Sequence, residues 1–280
     1  MRLILLICLT MVAFAANSIL NRLAVGSDAA DPGSFAVVRV LAGAVFLCLL
    51  VLARGGRVPL TGSGRVVGAL SLTIYMVGFS MAYLTLDAGL GALILFGVVQ
   101  IAMFAFGALR GARPSPKQIL GAAIAFAGLA YVLWPSGGAQ VDAGGAALMA
   151  LAGLGWAAYT LAGRSAPDAL KATAANFVVA LPLTAAAIWV VGPALNMTLT
   201  GLALACLSGA VTSGMGYALW YRLVPQLSPA VAATVQLSVP VIALVAGVLL
   251  LGEVGSLSLV LGTALVLGGI ALAVLPGARR

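Results

Sequence analysis

The sequence contains no histidine, and its 280 residues include only six Asp and Glu. None of those acids falls in the middle of a long apolar run, so the usual proton-relay groups of membrane pumps are missing. Nothing has the pattern of a metal site, a phosphate-binding loop or a nucleophile–base pair, which excludes the common enzyme classes and leaves no cofactor and no metal to expect. Cysteine is also scarce. Cys8, Cys48 and Cys206 each sit inside an apolar run, which reads as small core residues, not disulfides or ligands. Charged residues are 7% of the chain, against about 25% in a soluble domain. No polar segment is longer than a loop, leaving no room for a separate cytosolic domain.

What fills the chain is apolar: 63% of residues, with a mean hydropathy of +1.20. Ten apolar runs approach the roughly 20 residues needed to cross a hydrocarbon core, near 3–21, 33–53, 66–86, 88–109, 118–134, 144–162, 172–191, 198–220, 229–250 and 256–275. Arg2, an apolar run and Ala13-Phe14-Ala15 resemble a cleavable leader. The residues after that supposed cut recur in the sixth run, however, so the first run reads as a helix. The net charge of +8 would suggest nucleic acid in a soluble protein; in a membrane protein its placement sets topology, and no nucleic-acid partner is expected. With the N-terminus inside, the inner loops collect Arg2, Arg54, Arg57, Arg65, Arg110, Arg113, Lys117, Arg164, Lys171, Arg222, Arg279 and Arg280. The outer loops collect Arg22, Asp28, Asp31, Asp87, Asp142 and Glu253. That asymmetry predicts a multi-pass bacterial inner-membrane protein with both termini cytoplasmic.

The chain also repeats itself. Phe14–Arg22 (FAANSILNR) returns as Trp156–Arg164 (WAAYTLAGR), Met81 and Tyr83 as Met215 and Tyr217, and Val99-Gln100 as Val235-Gln236. Gly121, Gly128 and Pro135 return as Gly262, Gly269 and Pro276 in the same order. The expected fold is an all-α integral membrane protein of ten helices, with a first five-helix repeat over 1–140 and a second over 141–280. Because five is odd, the second copy enters the membrane inverted, an arrangement that places a substrate site near mid-membrane between the copies in transporters.

Polar groups within the runs are costly in lipid, so they are the candidates for a substrate path. Arg39 stands alone: its repeat partner is Leu181. It can reach toward an interface, bond helix-end carbonyls, or hold a substrate carboxylate. Asn17 and Asn21 share a face of the first helix, and Trp156, Tyr159 and Thr160 give the sixth a polar-aromatic side at the same height. Tyr75, Ser80 and Tyr83 on the third helix are matched by Thr212, Ser213 and Tyr217 on the eighth. Tyr83 and Tyr217 lie toward helix ends, and Trp134, Trp189, Trp220 and Tyr221 read as an interfacial aromatic belt. Gln100 and Gln236 occupy equivalent helix middles, where a carboxamide must face protein or water. Pro240 frees a backbone carbonyl nearby. The fifth and tenth helices carry glycines and almost nothing polar, which suits close packing at the edge of the bundle.

Ten helices, a five-helix inverted repeat, Arg39 early in the second helix, and Leu249-Leu250-Leu251-Gly252-Glu253 ahead of Gly262 and Gly269 resemble the drug/metabolite transporter superfamily, EamA-type branch. That branch includes bacterial amino-acid exporters. The resemblance covers essentially the whole chain and implies alternating access around a cavity lined by helices one to four and six to nine. It carries over Gly252, Glu253 and Arg39. The first half departs from it, with Ala112 where Glu253 stands in the second. The small four-helix multidrug exporters of the superfamily depend on a first-helix glutamate that is absent here, which speaks against proton-coupled export of cationic drugs. The expectation is therefore a monomeric transporter of small metabolites, with aromatic or large neutral amino acids leading and facilitated diffusion as the mode. Proton-coupled export of drugs or other metabolites is the alternative, as is an organic-anion or phosphate-ester carrier, which should show more cations than Arg39 alone.

Overall fold

A computed structural model describes residues 2–62, 64–109, 115–133, 141–191, 196–227, 232, 235–236 and 238–274. Arg110, Ala112, Arg113, Trp134, Pro135, Pro276, Arg279, Arg280 and the division at 140 lie outside the described residues. The described residues form ten helical spans: α1 (Arg2–Gly26), α2 (Pro32–Ala53), α3 (Arg65–Ala82), α4 (Ala88–Leu109), α5 (Pro116–Leu133), α6 (Ala143–Gly163), α7 (Ala169–Val191), α8 (Leu199–Gln226), α9 (Ser238–Leu251) and α10 (Leu257–Val274). Six of them, α1, α2, α3, α6, α7 and α8, are long and apolar enough on their own to cross a membrane. Helix starts are fixed by side chains: Asp31 accepts from Ser34 N, Asp142 from Gly145 N and Thr198 from Gly201 N.

Among the boundaries that depart from the hydropathy reading, two bear on the site. The third helix stops at Ala82, so Tyr83 caps it instead of lying within it. The eighth runs on to Gln226 and changes pitch on the way: α-helical over Leu199–Leu207, π-helical over Ser208–Met215, α-helical again over Gly216–Leu223, and a 3₁₀ turn over Val224–Gln226.

The packing follows a two-fold relation between helix n and helix n+5. Three contacts join counterparts: α2 with α7, α4 with α9, and α5 with α10. Others form four matched pairs. The α3–α6 contact answers α1–α8, α4–α6 answers α1–α9, α3–α7 answers α2–α8, and α2–α3 answers α7–α8. The core is thus made between the halves more than within them, while α5 and α10 pack on each other and join the rest through α4.

The two ends collect the loops as the charge count groups them. At one end Thr198 N donates to Ala29 O, Asp31 accepts from Asn196 N, and Arg22 meets Asp87 and Glu253. At the other, Arg65 on α3 reaches Ala172 O and Asn176 on α7. Outward faces are apolar, with Trp189, Val190, Leu249 and Leu250 exposed. Cys8 and Cys206 face outward as well and are not the core residues expected, while Cys48 is half-buried. Their small, weakly polar thiols suit either surface.

Candidate functional site

The helices that cross between the halves bring aromatic rings to one place. Phe14 and Trp156, equivalent in the repeat, meet edge to face with ring centroids 5.2 Å apart. Trp156 also lies 4.6 Å from Tyr217 and 5.1 Å from Tyr75, and stacks at 5.6 Å on Tyr159. Such pairs contribute about 0.5–1.5 kcal/mol each beyond their buried area. They surround a cavity lined by Phe14, Asn17 and Ser18 of α1, Tyr75 and Phe79 of α3, Leu95 and Phe96 of α4, Trp156 of α6 and Tyr217 of α8. Its volume is about 10 Å³, room for about one water and far short of the roughly 300–1,000 Å³ of ordinary ligand pockets. The bundle is therefore nearly closed around it.

Behind one wall lies Arg39, wholly buried on α2. Its Nε donates to Ser213 Oγ at 2.8 Å, and Nη2 donates to Tyr217 Oη at 2.8 Å and Tyr75 Oη at 3.2 Å. The guanidinium carbon sits 4.9 Å from the Phe79 ring centre and 5.5 Å from that of Tyr75. Among the described residues no carboxylate pairs with it. Asn17 organises the other side of the network. Its Oδ1 accepts from Ser208, Thr212 and Ser213, and its Nδ2 approaches Tyr217 Oη at 3.5 Å.

The π-helical stretch makes this possible. An i→i+5 ladder sets a residue back over the one five earlier, so Ser208 and Ser213 share a face with Thr212. Gly209 in the same stretch lies against the backbone of α2: a Cβ there would fall 2.2 Å from Arg39 O. Close approach of α8 to α2 thus lets short hydroxyl side chains reach the guanidinium.

Each end of the cavity is tied shut by different groups. On the Arg22 side, Asn21 Nδ2 donates to Ser80 Oγ at 2.9 Å, and Arg22 donates to Tyr83 O at 3.0 Å and pairs with Asp87 at 3.3 Å and Glu253 at 3.8 Å. Gly252 explains how Glu253 arrives there. Its positive φ of 68° is the left-handed turn that ends a helix, folding Glu253 back so that Oε1 accepts from Ala88 N at 2.7 Å. A carboxylate at the start of α4 is favourably placed. Burial nonetheless pushes the Glu253 carboxyl above the usual glutamate range, with Asp87 adding to the push and the Ala88 N–H and Arg22 opposing it. On the far side, Tyr221 Oη donates to Tyr159 O at 2.8 Å, the two rings lie 4.8 Å apart, and Arg65 holds Asn176.

Of the residues singled out from sequence, Asn17, Tyr75, Trp156 and Tyr217 meet at the cavity and Arg39 stands directly behind it. Arg39 reaches neither an interface nor helix-end carbonyls; its partners are side-chain hydroxyls. Gln236 accepts from Trp156 Nε1 at 3.4 Å. Tyr159 and Thr160 are buried beside it on α6. Ser80 and Tyr83 belong to the Arg22 end, where Tyr83 Oη donates to Ala88 O at 3.4 Å. Gln100 is buried on α4 but does not line the cavity, which takes Leu95 and Phe96 from that helix. Tyr83, Tyr217, Trp220 and Tyr221 are buried and form no interfacial belt. The extension of α8 carries Trp220 and Tyr221 into the bundle, and Trp189 alone of the expected belt residues described is exposed. Phe14, Ser18, Phe79 and Ser208 were not singled out. The repeat offered one signal for Phe14, since it aligns with Trp156.

The EamA-like transporter family model matches residues 1–134 and 143–275. The chain belongs to the EamA-like transporter family. It is a multi-pass membrane protein of a family of transporters, and its fold is that family's ten-helix fold. An uncharacterized protein of Pseudomonas aeruginosa is 45% identical over 280 residues, covering 100% of this chain and 96% of its own. A crystal structure 20% identical in sequence shares the fold with a TM-score of 0.69, over 95% of this chain and 98% of that one.

Proposed function

We propose that this EamA-family protein exports small metabolites, with aromatic and large neutral amino acids as the leading class, by alternating access across the bacterial inner membrane. Both termini are cytoplasmic, the chain works as a monomer, and the inverted repeats 1–140 and 141–280 are the units that rock. One observation carries the reading: the enclosed aromatic-and-amide cavity takes walls from α1, α3 and α4 of the first half and α6 and α8 of the second, the mid-bundle position of substrate sites in inverted-repeat transporters. Aromatic faces accommodate an apolar side chain, and the polar corner at Asn17, Tyr75 and Tyr217 suits its charged end. Opening on one side requires release of Asn21 from Ser80 and of Arg22 from Asp87 and Glu253. Opening on the other requires parting Tyr221 from Tyr159 and Arg65 from Asn176.

No acid lies within the helices to carry a coupling proton, which favours facilitated diffusion. The test is uptake of radiolabelled amino acids into liposomes holding the purified protein, with and without an imposed pH gradient. Saturable uptake of aromatic or large neutral amino acids, indifferent to the gradient, is expected. If no amino acid enters liposomes that demonstrably move another solute, the substrate class is wrong.

A further inference from the structure

The hydrogen bonds around Arg39 do not balance, and the imbalance has a sign. Arg39 directs Nε and Nη2 at Ser213, Tyr75 and Tyr217, but Nη1 is buried with no partner. Tyr217 Oη donates its proton to Tyr75 Oη at 2.9 Å. Tyr75 Oη then accepts from both Tyr217 and Arg39, and its own proton has no acceptor among the described residues. Two phenols joined by a single hydrogen bond leave one O–H proton over, and both phenols line the cavity. On the other side, three hydroxyls converge on Asn17 Oδ1; its two lone pairs can serve Ser208 and Ser213, while Thr212 has a second acceptor in Ser208 O at 3.0 Å. The network is short of acceptors and carries one positive charge with no counter-ion among the described residues.

We propose that the spare Tyr75 proton, polarised by Arg39, anchors a carboxylate, and that the cavity selects solutes by that carboxylate whether or not they carry an amino group. This rests on the cavity being the substrate site. A carboxylate brings several lone pairs and a negative charge, both of which the site lacks. An ammonium group brings only donors and a second positive charge; besides aromatic faces it would meet Asn17, whose Oδ1 already accepts from hydroxyls, and Ser18. Arg39 acts through Tyr75 and is a positioning residue. Aromatic monocarboxylates with no amine are therefore solutes as good as the amino acids, and aromatic amines with no acid are excluded.

The experiment is equilibrium binding of tritiated 3-phenylpropionate to the purified full chain in nanodiscs, with phenylalanine and phenethylamine as competitors. Saturable binding displaced by phenylalanine and not by phenethylamine is expected. Tyr75→Phe keeps the ring and removes the proton, and should weaken binding roughly 10- to 100-fold, the effect of a hydrogen bond to a charged group. Tyr217→Phe leaves the Tyr75 proton and its Arg39 contact in place and should weaken binding less. Equal losses in the two variants, or none in Tyr75→Phe, overturn the anchor. Binding of labelled phenethylamine without binding of the acid overturns carboxylate selection but leaves the cavity as the substrate site. Failure of all three compounds to bind overturns both readings.

Discussion

In two regions of this molecule helices from opposite halves meet closely, and they do so by opposite means. At the α5–α10 contact the approach depends on the absence of side chains. A Cβ on Gly269 would lie 2.5 Å from Ala125 N and 2.6 Å from Gly121 O, and one on Gly128 would lie 2.8 Å from Leu265 Cβ. At the centre, α1, α2, α3 and α8 are held by the guanidinium, amide and hydroxyls of Arg39, Asn17, Tyr75, Ser213 and Tyr217. The first contact is satisfied by shape and retains nothing for a solute. The second is satisfied only in part, since its donors outnumber its acceptors, and the remainder is what a solute can use. Stability and transport should therefore separate between the two regions.

Arg39→Leu presses hardest on that separation. Leucine already occupies the equivalent position 181 on α7, so an α2 with leucine there has a precedent within the chain. Replacing a buried charge by an apolar residue is often neutral or stabilising, and the hydroxyls left behind can pair with one another. Transport should nevertheless fall by about 10- to 100-fold, because the Tyr75 anchor loses the charge that polarises it, and a hydrogen bond to a charged group contributes about 1.5–3 kcal/mol. Initial uptake rates beside thermal unfolding of the same preparation measure both. A large drop in unfolding temperature with normal uptake per folded molecule would place Arg39 with the structural contacts and erase the distinction.

Gly269→Ala is the complementary change and should have the next largest effect. The added methyl meets backbone atoms of α5, which cannot rotate away, so the two helices must separate. Overpacking of this kind costs typically about 1–3 kcal/mol, or several degrees of unfolding temperature. Uptake by the protein that remains folded should be unchanged, because α5 and α10 contribute nothing to the cavity wall. A transport defect with normal stability would show that the peripheral pair takes part in the rocking motion.

The sequence discloses one of these regions better than the other. Helix positions follow from runs of apolar residues, and the glycines of α5 and α10 announce close packing by their spacing alone. Arg39 could be flagged because a charge in such a run is rare. Tyr75, Ser213 and Tyr217 can be flagged as polar groups too, but not their meeting at Arg39, which is tertiary and for Ser213 depends on the π-helical stretch over Ser208–Met215. Leu95 and Phe96 were invisible for another reason: in a helix apolar all round, nothing in the residue type separates a cavity wall from a lipid face. Gln100 and Gln236 look equivalent by repeat and neither lines the cavity, which Gln236 touches only through its bond to Trp156. Symmetry of sequence fixes where helices lie and leaves open which of two matched side chains serves the site.

Glu253 sits at the join of the two regions, where α9 ends beside α4 and the chain turns toward α10, and the smallest effect is expected there. Burial raises its carboxyl above the usual glutamate range despite the Ala88 N–H and Arg22. The folded protein thus holds this proton more tightly than the unfolded chain does. The stabilisation from the bound proton is complete below the usual glutamate value and is lost as pH rises through the higher folded value. Glu253→Gln keeps an acceptor for Ala88 N–H and has no proton to lose. Its unfolding temperature should be flatter than that of the parent across the window just above the usual glutamate value, with a difference smaller than that from Gly269→Ala. Should the parent instead gain stability as pH rises through that window, the Arg22 pairing outweighs burial, and the carboxylate at the start of α4 is a lock between the halves, not merely a helix cap.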